Sequence, residues 1–265
     1  MVGSILIDLD SSQLYGTIEA NCSLFHLKHL DVVDNNFNPS QIPSRIGELS
    51  QLSYVTISSS LQRLSLDHCE LHGEFPSGIF QLQNLRYLNM GNRQNLTGSM
   101  PSSFGNLTQL MVLDIEHNKF RGHLSSFLEN LSKLRTLIVG WNEFITGTFS
   151  WICKLSGIYV LDIDLVNIDS QIPLCFANLT QLSRFSLFHS YLSGPIPSWI
   201  MNQTNLAYMD LPGCNLHGAI PNSLFKLENL EVFNVAYNLL EGELELHKFQ
   251  SFKMHSMQPF LEFNC

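Results

Sequence analysis

Apolar and polar residues alternate in short runs that return at a near-constant interval along the chain. Leu113-Asp114-Ile115, Phe185-Ser186-Leu187, Met209-Asp210-Leu211 and Phe233-Asn234-Val235 all read apolar, polar, apolar. A period of two over so short a run predicts a strand with one buried face. Each run continues into a common string, L-x-L-x-x-N-x-L-x-G-x-I-P. It stands as LDIEHNKFRGHL from Leu113, FSLFHSYLSGPIP from Phe185, MDLPGCNLHGAIP from Met209 and FNVAYNLLEGEL from Phe233. Looser copies are LSLDHCELHGEFP from Leu64, LIVGWNEFITGTF from Leu137 and LDIDLVNIDSQIP from Leu161. LNMGNRQNLTGSMP from Leu88 carries one extra residue. The position written N falls at Cys69, Arg93, Asn118, Asn142, Val166, Ser190, Cys214 and Asn238, at intervals of 24, 25, 24, 24, 24, 24 and 24 residues. Two earlier copies place it at Ser12 and Asn35.

A repeat of this length and pattern is a leucine-rich repeat. The expected fold is an α/β-type solenoid, a horseshoe of about ten turns with short parallel strands on its concave face. Leu113 and Ile115 point into the core, while Asp114 and Glu116 point out. The N position ends the strand where the chain bends. An inward Asn there can bond backbone groups that the bend leaves unpaired. Cys and Ser are partial substitutes. Arg93 and Val166 are not, so their turns are expected to be less regular. The L-x-G-x-I-P phrase makes a second extended segment. Phe104, Leu107 and Leu110 close a convex side that is mostly irregular or 3-10 in character. No turn buries its apolar face alone, so stability comes from stacking.

The solenoid register runs over residues 1–244. From Asn35 to Cys69 is 34 residues, too long for one turn and too short for two. That predicts an irregular join near 53–63. Residues 245–265 leave the register as a divergent, uncapped tail, and neither end shows a cysteine-bearing cap.

Composition narrows the function. Apolar residues make up 45% and charged ones 14%, so the chain can bury a core. A formal net charge of −9, with no Lys/Arg-rich run, argues against nucleic acid. No 18-residue apolar stretch predicts a membrane span, and the N-terminus MVGSILIDLDSSQLYG does not read as a signal peptide. The six cysteines, at 22, 69, 153, 175, 214 and 265, contain no C-x-x-C pair.

The L-x-G-x-I-P addition belongs to the plant-specific class of leucine-rich repeats. The strings SQIPSRIGELSQL (Ser40–Leu52), SLDHCELHGEFPSGIFQLQNLRYLNM (Ser65–Met90) and IPLCFANLTQL (Ile172–Leu182) resemble the ectodomain of plant receptor-like proteins, the group with the Cf-type disease-resistance receptors. The resemblance covers Gly3 to about Leu244. It implies a plasma-membrane-anchored, extracellular glycoprotein that senses a protein, peptide or glycan in defence or cell-surface signalling, through a partner receptor kinase. This chain looks like a truncated ectodomain fragment of such a receptor. The alternatives are a secreted inhibitor resembling the polygalacturonase inhibitors, which share the repeat class, and a non-functional truncated gene product.

Read by register, the outward concave positions suited to a ligand are Tyr87, Glu116, His117, Trp141, Tyr159, Asp164, Arg184, Phe188, His189, Tyr208 and Tyr237. Exposed aromatics with scattered charges are what interface hot spots are made of. Six N-x-[ST] sequons, at Asn21, Asn95, Asn106, Asn130, Asn178 and Asn202, are candidate glycosylation sites. Cys153 and Cys175 lie 11 and 9 residues after the N position of adjacent turns, an offset that makes a disulfide marginal. Cys69 and Cys214 read as buried thiols. The stretch DHCELHGEFP, Asp67 to Pro76, gathers metal-ligating residue types, but alternating faces spread them apart. His68, His117 and His189 lie in turns two or three apart, roughly 10–15 Å from one another. No enzyme, cofactor or metal site is expected.

Overall fold

The structure is a computed structural model. It describes residues 5–8, 27–31, 61–69, 72–75, 77–92, 95–147, 149–168 and 171–242. The chain divides into two compact units, residues 1–134 with 141–144, and residues 135–140 with 145–265.

Unit one contains β1 (Ile5–Asp8), β2 (Leu27–Asp31), β3 (Arg63–Ser65), β4 (His72–Glu74), β5 (Tyr87–Asn89), β6 (Asn95–Ser99), β7 (Val112–Asp114) and β8 (Lys119–His123). β1, β2, β3, β5 and β7 pair in that order, all parallel. β4, β6 and β8 form a second parallel ladder. Unit two repeats the plan with β9 (Thr136–Ile138), residues 145–147 of β10 (Glu143–Gly147), β11 (Val160–Asp162), β12 (Asn167–Ile168), β13 (Arg184–Ser186), β14 (Tyr208–Asp210), β15 (His217–Ala219), β16 (Val232–Asn234) and β17 (Leu239–Glu241). β9, β11, β13, β14 and β16 stack in register. β10 pairs with β12, and β15 with β17. This is the leucine-rich-repeat solenoid that the period predicts.

A turn is an alternating strand, a bend, a second strand and a short 3-10 segment; the turn of Ser190 lacks the second strand, and the turn of Asn118 closes with a short α-helix, Ser125–Leu128. Leu64, Leu66, Leu88, Met90, Leu113 and Ile115 are fully buried in unit one. Leu161, Ile163, Leu187, Met209 and Leu211 are fully buried in unit two. The opposite side is closed by 3-10 segments at Ser102–Asn106, Leu174–Asn178, Ser198–Asn202 and Asn222–Lys226. An extended Pro precedes each of these four, at 101, 173, 197 and 221. Its fixed φ sets the chain direction before the tighter winding begins. The Leu-x-x-Leu phrase then prolongs the winding through successive three-residue turns: Leu107 N–H donates to Phe104 O at 3.1 Å, and Leu110 N–H to Leu107 O at 2.8 Å. Phenylalanines stack from turn to turn inside each unit. Phe80, Phe104 and Phe127 lie 5.3 and 5.0 Å apart in unit one, and Phe149, Phe176 and Phe185 lie 5.5 and 5.2 Å apart in unit two.

The N position does what its chemistry allows. Asn118 Nδ2 donates to the carbonyls of Met90 (2.8 Å), Ile115 (3.2 Å) and Glu116 (3.0 Å), and its Oδ1 accepts from Leu96 N–H. Asn142 repeats this on Ile115 O and Phe120 N–H. Asn238 repeats it on Leu211, Val235 and Ala236 carbonyls and on Cys214 and Leu216 N–H. At Cys214 the thiol donates to Leu187 O at 2.6 Å. Burial pushes the Cys214 thiol up to about 12, so it remains a protonated donor. Ser190 Oγ is buried without a hydrogen-bond partner among the described residues, because its side chain is too short for the span an Asn covers. After Val166 the pairing of the second strand with β10 shifts register between Ile145 and Gly147. The irregularity expected of Val166 is present. Arg93, residues 53–60 of the predicted join and the tail 245–265 lie outside the described residues.

Cys153 and Cys175 are joined by a disulfide with a Cα separation of 5.4 Å. Counting from the N position made their offset two residues. Cys153 is the fifth residue of the 3-10 segment Phe149–Lys154, and Cys175 the second of Leu174–Asn178. Three residues complete one 3-10 turn, so the two side chains face the same way.

Candidate ligand-binding surface

The outward positions of the strands form a strip in each unit. In unit one, Arg63 places its guanidinium 3.5 Å from the centre of the Tyr87 ring, one strand on. Beside it, Asp67 Oδ1 lies 3.1 Å from His68 Nδ1 and accepts from Asn92 Nδ2 at 3.0 Å. Asp114 is held near pKa 7 by burial first, and then by Glu116 and more distantly Asp67. Glu116 N–H donates to the Asp114 carboxylate at 3.3 Å.

Unit two carries a denser polar strip. Arg184 stacks 3.9 Å over Tyr208 and approaches the Asp162 carboxylate at 3.5 Å. Tyr208 O–H donates to Asp210 Oδ2 at 3.1 Å. Burial, ahead of the nearby charges, raises both the Tyr208 and the Asp210 pKa. Asp164 Oδ1 accepts from Ser186 Oγ (2.8 Å) and Phe188 N–H (2.7 Å), so it is committed to holding the next turn. Asp162, the polar residue of the Leu161-Asp162-Ile163 run, is buried beneath Arg184. Tyr159 stands 52% exposed at the edge of the strip.

The residue just before the N position has a left-handed backbone at eight successive turns. These are His68, Asn92, His117 and Trp141 in unit one, and Leu165, His189, Gly213 and Tyr237 in unit two, with φ between 48° and 64°. The chain reverses there to enter the bend, which throws these side chains outward past the strand edge. His117 and Trp141 stack with ring centres 4.9 Å apart. His189 meets Phe188 edge-on at 4.2 Å and lies over Gly213, where an added Cβ would come within 2.7 Å of its Nδ1. Gly213 thereby opens a gap in the column. Around it, Leu165, His189, Tyr191, Asn215 and Tyr237 line a cavity of about 540 Å³.

The eleven residues read as ligand positions thus fall into pairs and strips. Tyr87 pairs with Arg63, His117 with Trp141, Arg184 with Tyr208, and Phe188 with His189. Glu116 leans on Asp114. Tyr237 lines the cavity. Leu165 and Gly213, just before the N position, and Tyr191 and Asn215, just after it, were missed by the register reading, which took the bend only at His117, Trp141, His189 and Tyr237. The signal available was the recurring pair of positions on either side of the N. Asn95, Asn106, Asn130, Asn178 and Asn202 are exposed, and Asn21 lies outside the described residues. Among the described residues, no three His, Cys, Asp or Glu side chains converge as a metal site, and no helix is long and apolar enough to cross a membrane.

A family described as leucine-rich repeat region matches residues 7–260. Receptor-like protein 39 of Arabidopsis thaliana is 34% identical over 190 residues, covering 69% of this chain and 20% of that protein. Receptor-like protein 9DC1 of Solanum pimpinellifolium is 33% identical over 218 residues, covering 72% of this chain and 25% of that protein. The chain therefore spans about a fifth to a quarter of the length of these curated relatives. Among solved structures, the Arabidopsis receptor kinase HAESA, in complex with the peptide hormone IDA and the co-receptor SERK1, superposes with a TM-score of 0.77 at 28% identity, covering 90% of this chain and 38% of that one. Repeat, asparagine ladder and these likenesses agree, and the chain belongs to the leucine-rich-repeat family, with a repeat region like that of the plant receptor-like proteins.

Proposed function

We propose that this chain is the recognition part of a plant cell-surface receptor-like protein, with a peptide or protein ligand lying along the strand strip. The observation that carries this is the unit-two strip. Tyr159 is exposed, Arg184 and Tyr208 are partly exposed, and cation–π stacking and hydrogen bonds hold the latter pair in place. Pre-ordered aromatic and guanidinium groups lose little rotamer freedom on binding and make effective anchors. The HAESA structure, which holds a peptide hormone and a co-receptor, supports the same use of the repeat surface. Recognition would then be passed to a partner receptor kinase, and the module itself performs no chemistry.

An extracellular setting is supported by the Cys153–Cys175 disulfide and by the five exposed sequons. The test selects peptides from a displayed random library on the full chain. Arg184→Ala and Tyr208→Ala are expected to weaken the selected peptides by about tenfold or more, while Leu174→Ala on the opposite side leaves them unchanged. Selected peptides indifferent to both strip variants would overturn this reading.

A further inference from the structure

The cavity at the Gly213 gap plays no part in the strand-strip reading, and its chemistry differs. We propose that it is a binding site for a short, uncharged oligosaccharide. Its volume, about 540 Å³, lies within the roughly 300–1,000 Å³ of small-molecule sites. Its walls are aromatic faces with wet edges: Tyr191 is 62% and Tyr237 67% exposed. A deep apolar anchor would leave such rings largely buried. A sugar ring instead lays its C–H face on an aromatic face and keeps most hydroxyls in water. His189 and Asn215 add groups that both donate and accept hydrogen bonds, as hydroxyls require.

Charge and backbone narrow the occupant further. No Lys, Arg, Asp or Glu is among the lining residues, so the site offers no counter-charge to a uronate, a sulfate or a phosphate. The N–H groups of Leu165, His189 and Gly213 already donate to Phe188, Pro212 and Ala236 carbonyls, at 2.7, 3.0 and 2.9 Å. An extended peptide would therefore find none of these three main-chain donors available. Leu165, His189, Asn215 and Tyr237 all have left-handed backbone, which turns their side chains outward around Gly213. Gly213, which adopts the conformation without strain, is where the space opens.

The experiment titrates the full chain with cellotetraose, chitotetraose and mannotetraose, by calorimetry and saturation-transfer NMR. Tetragalacturonate and a Tyr- and Pro-rich hexapeptide serve as comparators. Gly213→Asn keeps a residue that tolerates left-handed backbone but drives His189 into the cavity. Tyr237→Ala removes one wall without touching the glycine. At least one neutral tetrasaccharide is expected to bind in the micromolar to millimolar range, and each variant to weaken it by about tenfold with an unchanged melting temperature. If Gly213→Asn melts early, Tyr237→Ala decides alone. Arg184→Ala and Tyr208→Ala are expected to leave sugar binding intact, which separates this site from the strand strip. Absence of saturable binding by all three sugars, retention of binding in Tyr237→Ala, or equal binding of the uronate or the hexapeptide would each overturn the proposal.

Discussion

Asp114 holds a carboxyl raised from 3.8 to about 7 by burial and, after that, by the neighbouring Glu116 charge. In the unfolded chain it titrates near its ordinary value, so the folded state binds a proton more tightly. Its stabilising contribution is complete below about pH 4, declines as pH rises, and is gone above about pH 7. Melting temperature should therefore fall across that window for this residue's share. Asp114→Asn keeps an oxygen acceptor for the Glu116 N–H and removes the charge. It is expected to flatten the slope and to add about 1 kcal/mol at pH 7.5, read from melts at several pH values. Asn118 is the opposite case, a side chain whose value lies in its neutral amide. It bonds three carbonyls and one N–H at 7% exposure. Asn118→Ala leaves those buried groups unpaired and should cost about 3 kcal/mol, measured by urea unfolding. The sequence predicted this role from position alone. It did not predict the Asp114 shift, because register places Asp114 outward and says nothing of how closely neighbouring turns crowd it.

Among the elements, the turn that follows Asn142 is tied to the next by a covalent link. The Cys153–Cys175 bridge joins it to the turn of Val166, on the side away from the N position. Val166 offers no amide to the bend, and the pairing of β12 with β10 shifts register there. The disulfide thus adds a covalent tie to a turn whose bend carries no side-chain amide. With the cysteines 22 positions apart, chain-entropy arguments put its contribution at about 3 kcal/mol. Cys153→Ser with Cys175→Ser, or reduction by dithiothreitol, should lower the melting temperature by several degrees. Cys69 and Cys214, both buried, should remain unalkylated by iodoacetamide in the folded chain. Sequence reasoning rated the bridge marginal because it counted from the strand. The 3-10 winding, with three residues per turn, brought the two side chains onto one side.

At the scale of the whole molecule, five sequons are exposed. Asn106 and Asn130 are 24 residues apart, as are Asn178 and Asn202, so each pair occupies one position of consecutive turns. Expressed in a plant secretory host, the chain is expected to carry several N-glycans, seen as a mobility shift that enzymatic deglycosylation removes. Full-size chain with no shift would count against the extracellular assignment. The repeat organisation, the alternating core positions and the 3-10 character of the closing side were all legible in the sequence, because each turn repeats one local pattern and buries the same positions. Of the candidate site, the strip was legible as a set of positions. Its pairings were not, because a stack such as Arg184 on Tyr208 depends on rotamers chosen across two turns.

The sequence by itself determined the solenoid. A 24-residue period of apolar residues has no other way to bury its faces than by stacking, and Asn at the bend meets a need that recurs in every turn. What only the tertiary structure decided lies where turns meet. It put Cys153 beside Cys175 and left a gap over Gly213 that Leu165, Tyr191 and Tyr237 surround. Those outcomes rest on contacts between residues some 20 to 70 positions apart. Side chains that local pattern treats as independent become neighbours only when the turns are packed.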